Sequence, residues 1–182
     1  MAETARRTFA LEGRSYDGDG ISLAPAGPAS RISLRAPAES LAALSEALGL
    51  DLPVRPKASA RKNARAALWL GPDEWLVIDE GGADLMAICA RVAALHSAVD
   101  ISHRNLAILV SGRRVEDVLN AACPQDLSVA RFPVGAASRT VFGKAEIVLW
   151  RIGEDAFHVE CWRSFADYVF GLLDAAGREA VR

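Results

Sequence analysis

The sequence of 182 residues is poor in cysteine, in aromatic side chains and in long apolar runs. Its three cysteines, Cys89, Cys123 and Cys161, are odd in number and widely spaced, which excludes a disulfide framework and fits no zinc-binding pattern. We expect them to be reduced, mostly buried thiols of a cytoplasmic protein. No stretch approaches the roughly 20 apolar residues of a membrane-spanning helix, so we expect no membrane partner.

An excess of charge of one sign is also missing, because 21 basic residues stand against 23 acidic ones and the formal net charge is -2. Nucleic-acid-binding proteins usually have a strongly basic face, so we expect no nucleic-acid partner. Residues 1–11 carry Glu3, Arg6 and Arg7 but no apolar core of signal-peptide length, so export is not expected. Apolar side chains are abundant, at 51% of the residues, which predicts a folded chain rather than a disordered one.

Sequence motifs that carry chemistry are absent as well. The chain has no GxSxG nucleophile motif, no glycine-rich phosphate loop of either common type, no HExxH and no CxxC. We therefore assign no catalytic, cofactor-binding or metal-binding residue to this chain, and we expect no cofactor to be bound by it.

The histidines are the remaining candidates for acid–base or metal chemistry. Asp100 and His103 stand three residues apart at the end of a predicted strand, which places them on opposite faces and favours a structural role. His96 lies at a predicted helix C-terminus, where it is expected to act as a cap or dipole partner. His158 and Glu160 share a strand face, but two groups do not bind a metal without a third ligand.

Two neighbouring segments carry opposite charge. Residues 54–65 contain five basic side chains and no acid, whereas residues 73–84 contain five acidic side chains and no base. Such blocks can steer a charged partner, and the first block is a candidate for docking on an acidic face of a larger chain. The alternative is a solvated loop that faces a solvated hairpin.

The four tryptophans, Trp69, Trp75, Trp150 and Trp162, all fall in predicted strands. In a strand, tryptophan is usually a large core residue with one polar group to satisfy. In a chain with few aromatic residues, the same side chains can instead anchor an interface with another protein.

Hydrophobic periodicity predicts two α+β lobes after an N-terminal arm. Residues 1–30 are rich in turn-forming residues and are interpreted as an extended arm on another surface or as a mobile tail. Residues 31–103 follow the order βαββαβ, which is typical of a ferredoxin-like split βαβ unit. Residues 104–182 nearly repeat this order and end in the helix with the strongest apolar stripe. We therefore predict an α+β fold with two ferredoxin-like lobes and antiparallel or mixed sheets.

Several collinear segments resemble the gamma subunit of heterotetrameric sarcosine oxidase, and together they span about residues 31–175. They are LGPDEWLV at 70–77, VDISHR at 99–104, ACPQDL at 122–127, FPVG at 132–135, GKAE at 143–146 and WRSFADY at 162–168. The resemblance implies an accessory subunit, without catalytic residues of its own, of a four-chain enzyme that oxidises sarcosine to glycine. It implies alpha, beta and delta subunits as partners, with FAD, FMN, NAD and tetrahydrofolate on other subunits of the complex.

The gamma fold is similar to that of the folate-binding aminomethyltransferase of the glycine cleavage system. That enzyme has a Gly-Gly-x-x-Asp-Asp segment, where this sequence reads Gly-Lys-Ala-Glu-Ile-Val from residue 143 and retains only Glu146 nearby. The resemblance therefore implies an alternative function as a free-standing folate-binding or C1-transfer domain, in which Glu146 would hold the folate.

Overall fold

The computed structural model describes residues 9–180. Short 3-10 turns at Ala38–Ser40 and Arg163–Phe165 lead into two of its helices. Along the chain the elements are β1 (Tyr16–Gly18), β2 (Ile21–Pro25), β3 (Ser30–Arg35), α1 (Leu41–Leu48), β4 (Ser59–Lys62), β5 (Arg65–Gly71), β6 (Glu74–Asp79), α2 (Leu85–Cys89), β7 (Ser97–Asp100), β8 (Asn105–Ser111), α3 (Val115–Asn120), β9 (Ala137–Phe142), β10 (Ala145–Gly153), β11 (Ala156–Trp162) and α4 (Ala166–Ala180).

The strands form two antiparallel sheets, which confirms the predicted α+β class. The five-stranded sheet has the order β4-β5-β6-β3-β7, and the six-stranded sheet has the order β1-β2-β8-β11-β10-β9. In the first sheet β3 lies between β6 and β7, which is the arrangement of a split βαβ unit. The second sheet differs, because β9, β10 and β11 follow one another as hairpins with no helix between them.

Two parts of the chain that the periodicity did not assign to strands are strands in the structure. In the predicted arm, β2 pairs with β8 and β1 pairs with β2, so this part of the chain extends the second sheet. Leu11, Ile21 and Leu23 of the same segment are buried in the core beneath that sheet. Within the predicted basic loop, β4 pairs with β5. Residues 1–8 of the arm lie outside the described residues.

The strands alternate their side chains between two environments. On β11, Phe157, Val159 and Cys161 face the core that α3 and α4 cover, whereas His158 and Glu160 point the other way. The two sheets face each other across a third cluster that contains residues from both of them. Its buried members are Ala66, Leu68, Leu76, Ile78, Ile101, Ala137, Val148 and Trp150. Helices α1 and α2 cover the outer face of the five-stranded sheet.

The C-terminus of α1 shows how the sequence directs the chain between layers. Leu44 and Leu48 are fully buried against the sheet, and Gly49 then adopts a left-handed conformation with φ of 69°. Because glycine has no Cβ, it reaches this conformation without steric cost, and the helix ends where the apolar spacing predicts.

Arg151 on β10 fixes the long connection between α3 and β9. Its guanidinium is fully buried and donates to the carbonyl oxygens of Leu127 at 2.8 Å and Phe132 at 3.1 Å. It also donates to the Glu116 carboxylate at 2.7 Å and to the Glu154 carbonyl at 3.1 Å. One side chain therefore satisfies backbone acceptors that the irregular connection leaves without strand or helix partners.

We expect the substitution Arg151→Met to lower the free energy of unfolding by about 3 kcal/mol or more, because several buried carbonyls lose their donor. Chemical denaturation followed by circular dichroism measures this change. Arg113→Met is the matched control, since Arg113 forms an exposed ion pair with Asp19, and it is expected to cost less than about 1 kcal/mol. Equal midpoints for the two variants would contradict this role of Arg151.

Candidate functional site

Asp100 and His103, for which the sequence favours a structural role, lie at the turn that follows β7. The Asp100 carboxylate accepts a hydrogen bond from the backbone N–H of Ser102 at 2.8 Å. Hydrogen bonds from Ser102 lower the pKa of this carboxyl below its ordinary value, and the nearby charge of His103 contributes less. Both side chains are exposed at the surface. The geometry is that of a closed turn between β7 and β8.

Three buried ionisable residues, Arg31, His158 and Glu160, cluster between the two sheets. Arg31 on β3 donates through Nε to both carboxylate oxygens of Glu160 on β11, at 2.8 Å and 3.0 Å. Its Nη1 donates to the carbonyl oxygen of Ala29 at 3.0 Å. His158 Nε2 lies 3.8 Å from the same Glu160 carboxylate, and the Trp150 ring packs edge-on at 5.7 Å from the imidazole. The sequence alone did not indicate this ion pair, because its partners are 129 positions apart in the chain.

Burial dominates the electrostatics of this cluster. It lowers the pKa of His158 from 6.5 to about 4, and the Arg31 charge acts in the same direction. It also raises the pKa of the Glu160 carboxyl, which the Arg31 guanidinium offsets in part. The His158 side chain is 2% exposed, and within residues 9–180 its Nδ1 has no hydrogen-bond partner. At neutral pH the imidazole is therefore uncharged and out of reach of a substrate from solvent.

A cavity of about 630 Å³ lies beside this ion pair. Its walls are the segments 9–14, 25–31 and 102–107, and Arg31 reaches it from the buried side. Its size falls within the range of small-ligand pockets. Among the described residues, however, no group of three or more His, Cys, Asp or Glu side chains is placed to hold a metal ion.

Glu146 does not line that cavity. It borders a second opening of about 40 Å³ between the sheets, together with Arg139 and Trp162. Its carboxylate lies 4.0 Å from Nε of Arg139, and its side chain is 55% exposed. An opening of this size is far smaller than the ~300 Å³ or more of a ligand pocket, so it has no room for a folate.

The three cysteines are free and buried, as the sequence predicts. Burial raises the pKa of the Cys161 thiol to about 12, and it also raises the pKa of Cys89. Thiols that remain protonated are poor nucleophiles, so burial disfavours Cys89 and Cys161 as nucleophiles.

The opposed charge blocks neutralise each other in part. Arg65 pairs with Asp79 at 2.8 Å, and Arg61 pairs with Glu80 at 3.2 Å. Glu74 pairs with Arg139 on the other sheet, and this arginine, above all through its hydrogen bond, lowers the pKa of the Glu74 carboxyl. The acidic segment is therefore used within the chain, and two of the five basic side chains that the sequence offers for docking, Arg61 and Arg65, are already paired.

The tryptophans divide by location. Trp75 and Trp150 are buried and Trp69 is half-buried, whereas Trp162 is 42% exposed at the end of β11. The Trp75 indole donates to the carbonyl of Pro53 at 2.7 Å, as expected of a core tryptophan. The strand pattern alone could not distinguish the buried tryptophans from the exposed Trp162, because the exposure of each side chain depends on how the two sheets pack against each other.

The His158 environment predicts loss of stability in acid. Because the folded-state pKa of about 4 lies below the ordinary histidine value of 6.5, the neutral ring stabilises the fold above pH 6.5, and this contribution is lost as pH falls towards 4. The free energy of unfolding of wild type relative to His158→Gln should fall across that window by up to about 1.4 kcal/mol per pH unit. Denaturant titrations from pH 4 to 8 measure the difference, and parallel curves for the two proteins would contradict it.

No helix in residues 9–180 combines the length and apolar character that a membrane crossing requires. A solved structure of heterotetrameric sarcosine oxidase from Corynebacterium sp. U-96, in complex with pyrrole 2-carboxylate, contains a similar chain. The match has a TM-score of 0.85 at 28% identity and covers 95% of this chain and 92% of that one. The glycine cleavage system aminomethyltransferase T from Bartonella henselae shares the fold, with a TM-score of 0.68 at 16% identity over 86% of this chain and 46% of that one.

Sequence comparison gives the same relationship. Sarcosine oxidase subunit gamma from Corynebacterium sp. (strain P-1) is 37% identical over 140 residues, which cover 74% of this chain and 68% of that protein. The subunit gamma from Arthrobacter sp. is 35% identical over 140 residues, with the same coverage. The family model described as sarcosine oxidase, gamma subunit family, matches residues 34–179. The chain therefore belongs to the sarcosine oxidase gamma subunit family.

Proposed function

We propose that this chain is the gamma subunit of a heterotetrameric sarcosine oxidase and that it supports assembly of the complex that oxidatively demethylates sarcosine to glycine. The observation that carries the proposal is the family match over residues 34–179. The structural similarity to a chain of a sarcosine oxidase heterotetramer supports it, since nearly the whole of both chains is aligned.

The side chains support an accessory role. Arg31, His158 and Glu160 form a buried cluster between the sheets, and the three cysteines are free and buried. In this proposal these groups serve the fold, although Arg31 also lines the cavity of about 630 Å³. Catalysis is accordingly proposed for other subunits, which would carry FAD, FMN, NAD and tetrahydrofolate.

The proposed partners are the alpha, beta and delta subunits, in the cytoplasm. Three buried free thiols support this compartment, because reduced cysteines persist where glutathione and thioredoxin keep thiols reduced.

Co-expression tests the proposal directly. A tag on this chain is expected to recover the alpha, beta and delta subunits encoded in the same organism, and native mass spectrometry should give one copy of each chain. An exposed tag on an unrelated domain of similar size is the control. Recovery of this chain alone, folded and monomeric in the presence of the other three subunits, would contradict the proposal.

The geometry gives no support to the alternative of free-standing folate binding. Glu146 is exposed, lies near Arg139 and borders an opening of about 40 Å³. We expect calorimetry of the isolated chain with tetrahydrofolate to show no micromolar binding that depends on Glu146. Glu146→Gln is the matched variant, because it keeps the shape and removes the charge. Micromolar binding to wild type that Glu146→Gln abolishes would restore the alternative.

A further inference from the structure

Three aromatic side chains lie together on the surface where β11 runs into α4. They are Trp162, Phe165 and Tyr168, which we call the aromatic cluster, and their exposed fractions are 42%, 39% and 39%. The chain has only twelve aromatic residues, and Phe9 is the one other that is exposed to this degree. An aromatic-poor protein thus places most of its exposed aromatic surface at one point, which is typical of an interaction site.

Contacts with β8 and with the β9–β10 turn position the aromatic cluster. Trp162 pairs with Asn105 at the end of the β8–β11 ladder, and the rings of Trp162 and Phe165 are 6.2 Å apart. The Tyr168 hydroxyl accepts a hydrogen bond from the backbone N–H of Lys144 at 3.1 Å, which ties α4 to the β9–β10 turn. Ordered aromatic side chains lose little conformational entropy on binding, so such a surface is already prepared for a partner.

Cations without acidic partners surround the aromatic cluster. The Arg104 guanidinium lies over the Trp162 ring at 5.3 Å and donates to the neutral side chain of Asn105 at 3.2 Å. Within residues 9–180, neither Arg104 nor Lys144 has a carboxylate within 4.0 Å.

The acidic side chains of this region form ion pairs with other residues. Asp167 pairs with Arg14 at 2.6 Å, and Glu146 lies 4.0 Å from Arg139, which also pairs with Glu74. Arg104 and Lys144 therefore keep their positive charge without a close carboxylate among residues 9–180, and an acidic surface is the electrostatic complement of these two cations.

We infer that the aromatic cluster, with Arg104 and Lys144 at its rim, docks on another subunit of the sarcosine oxidase heterotetramer. This inference rests on the proposed function. The complementary face carries an apolar pocket that receives Trp162 and carboxylates that meet the two cations. Tryptophan, tyrosine and arginine are the residue types that dominate protein–protein binding when they become fully desolvated. The contact of Arg104 with the Trp162 ring prepares both side chains before the partner arrives.

The substitution Trp162→Ala in the co-expressed four-subunit complex tests the apolar part. It should weaken retention of this chain about tenfold or more, which is the scale of a central interface residue. Titration of the purified variant into a complex of the other three subunits measures the affinity. Leu95→Ala is the matched control, because Leu95 is 75% exposed in a different part of the surface and should bind as wild type does.

Arg104→Glu tests the charged rim without removing an aromatic ring. It should weaken binding through repulsion by the partner's carboxylates, and the loss should shrink at high salt because the charges are screened. Thermal melting checks that each variant is folded, and Phe165→Ser replaces Trp162→Ala if the latter melts early.

The outcomes separate the inference from the proposed function. If wild type does not join the other subunits, the proposed function fails. If wild type joins them and the folded Trp162→Ala or Phe165→Ser variant binds as tightly as Leu95→Ala, the docking inference fails while the proposed function stands. Normal binding of Arg104→Glu would overturn the acidic complement.

Discussion

Two antiparallel sheets face each other across a layer of alanine, leucine, isoleucine, valine and tryptophan side chains, and one ion pair crosses that layer from Arg31 to Glu160. Both charged side chains are almost fully removed from water, so the pair is tolerable only with close geometry and further hydrogen bonds. The short contacts of Nε with both carboxylate oxygens and of Nη1 with Ala29 supply them. Loss of one partner would leave a buried charge, so the pair fixes how β3 and β11 oppose each other.

The burial of charged groups between the sheets also limits which side chains can contact a partner. Packing the sheets face to face buries Arg31, His158 and Glu160, and burial there keeps His158 neutral. Cys161 lies on the opposite face of β11, in the core that α3 and α4 cover, where burial keeps its thiol protonated. The acidic segment after β5 is likewise used by arginines of the same chain. The surface where β11 meets α4 exposes Trp162, and it is this surface that we infer to contact a partner. This arrangement is that of a subunit that contributes surface to an assembly.

Local patterns in the sequence predict much of this fold. The alternation at residues 31–35 and the leucine spacing ended by Gly49 correspond to β3 and α1, because both features depend on side chains close in the chain. β1 lacks that periodicity, and in β2 it is limited to Ile21 and Leu23 around Ser22. They are strands because β8 offers an edge to β2 and β2 offers one to β1, which is a tertiary effect. The pairing of Arg31 with Glu160 and the exposure of Trp162 depend on the relative placement of two sheets, so no pattern in the sequence contains them. Resemblance to a family, rather than chemistry read from motifs, predicts the function.

The central claim is that this chain acts by docking through the surface where β11 meets α4. Hydrogen–deuterium exchange, compared between the isolated chain and the four-subunit complex, tests it without any substitution. The account predicts that backbone amides of residues 162–168 and of the β9–β10 turn exchange more slowly in the complex, while those around exposed Val54 are unchanged. Unchanged exchange at residues 162–168, with new protection elsewhere on the chain, would contradict it.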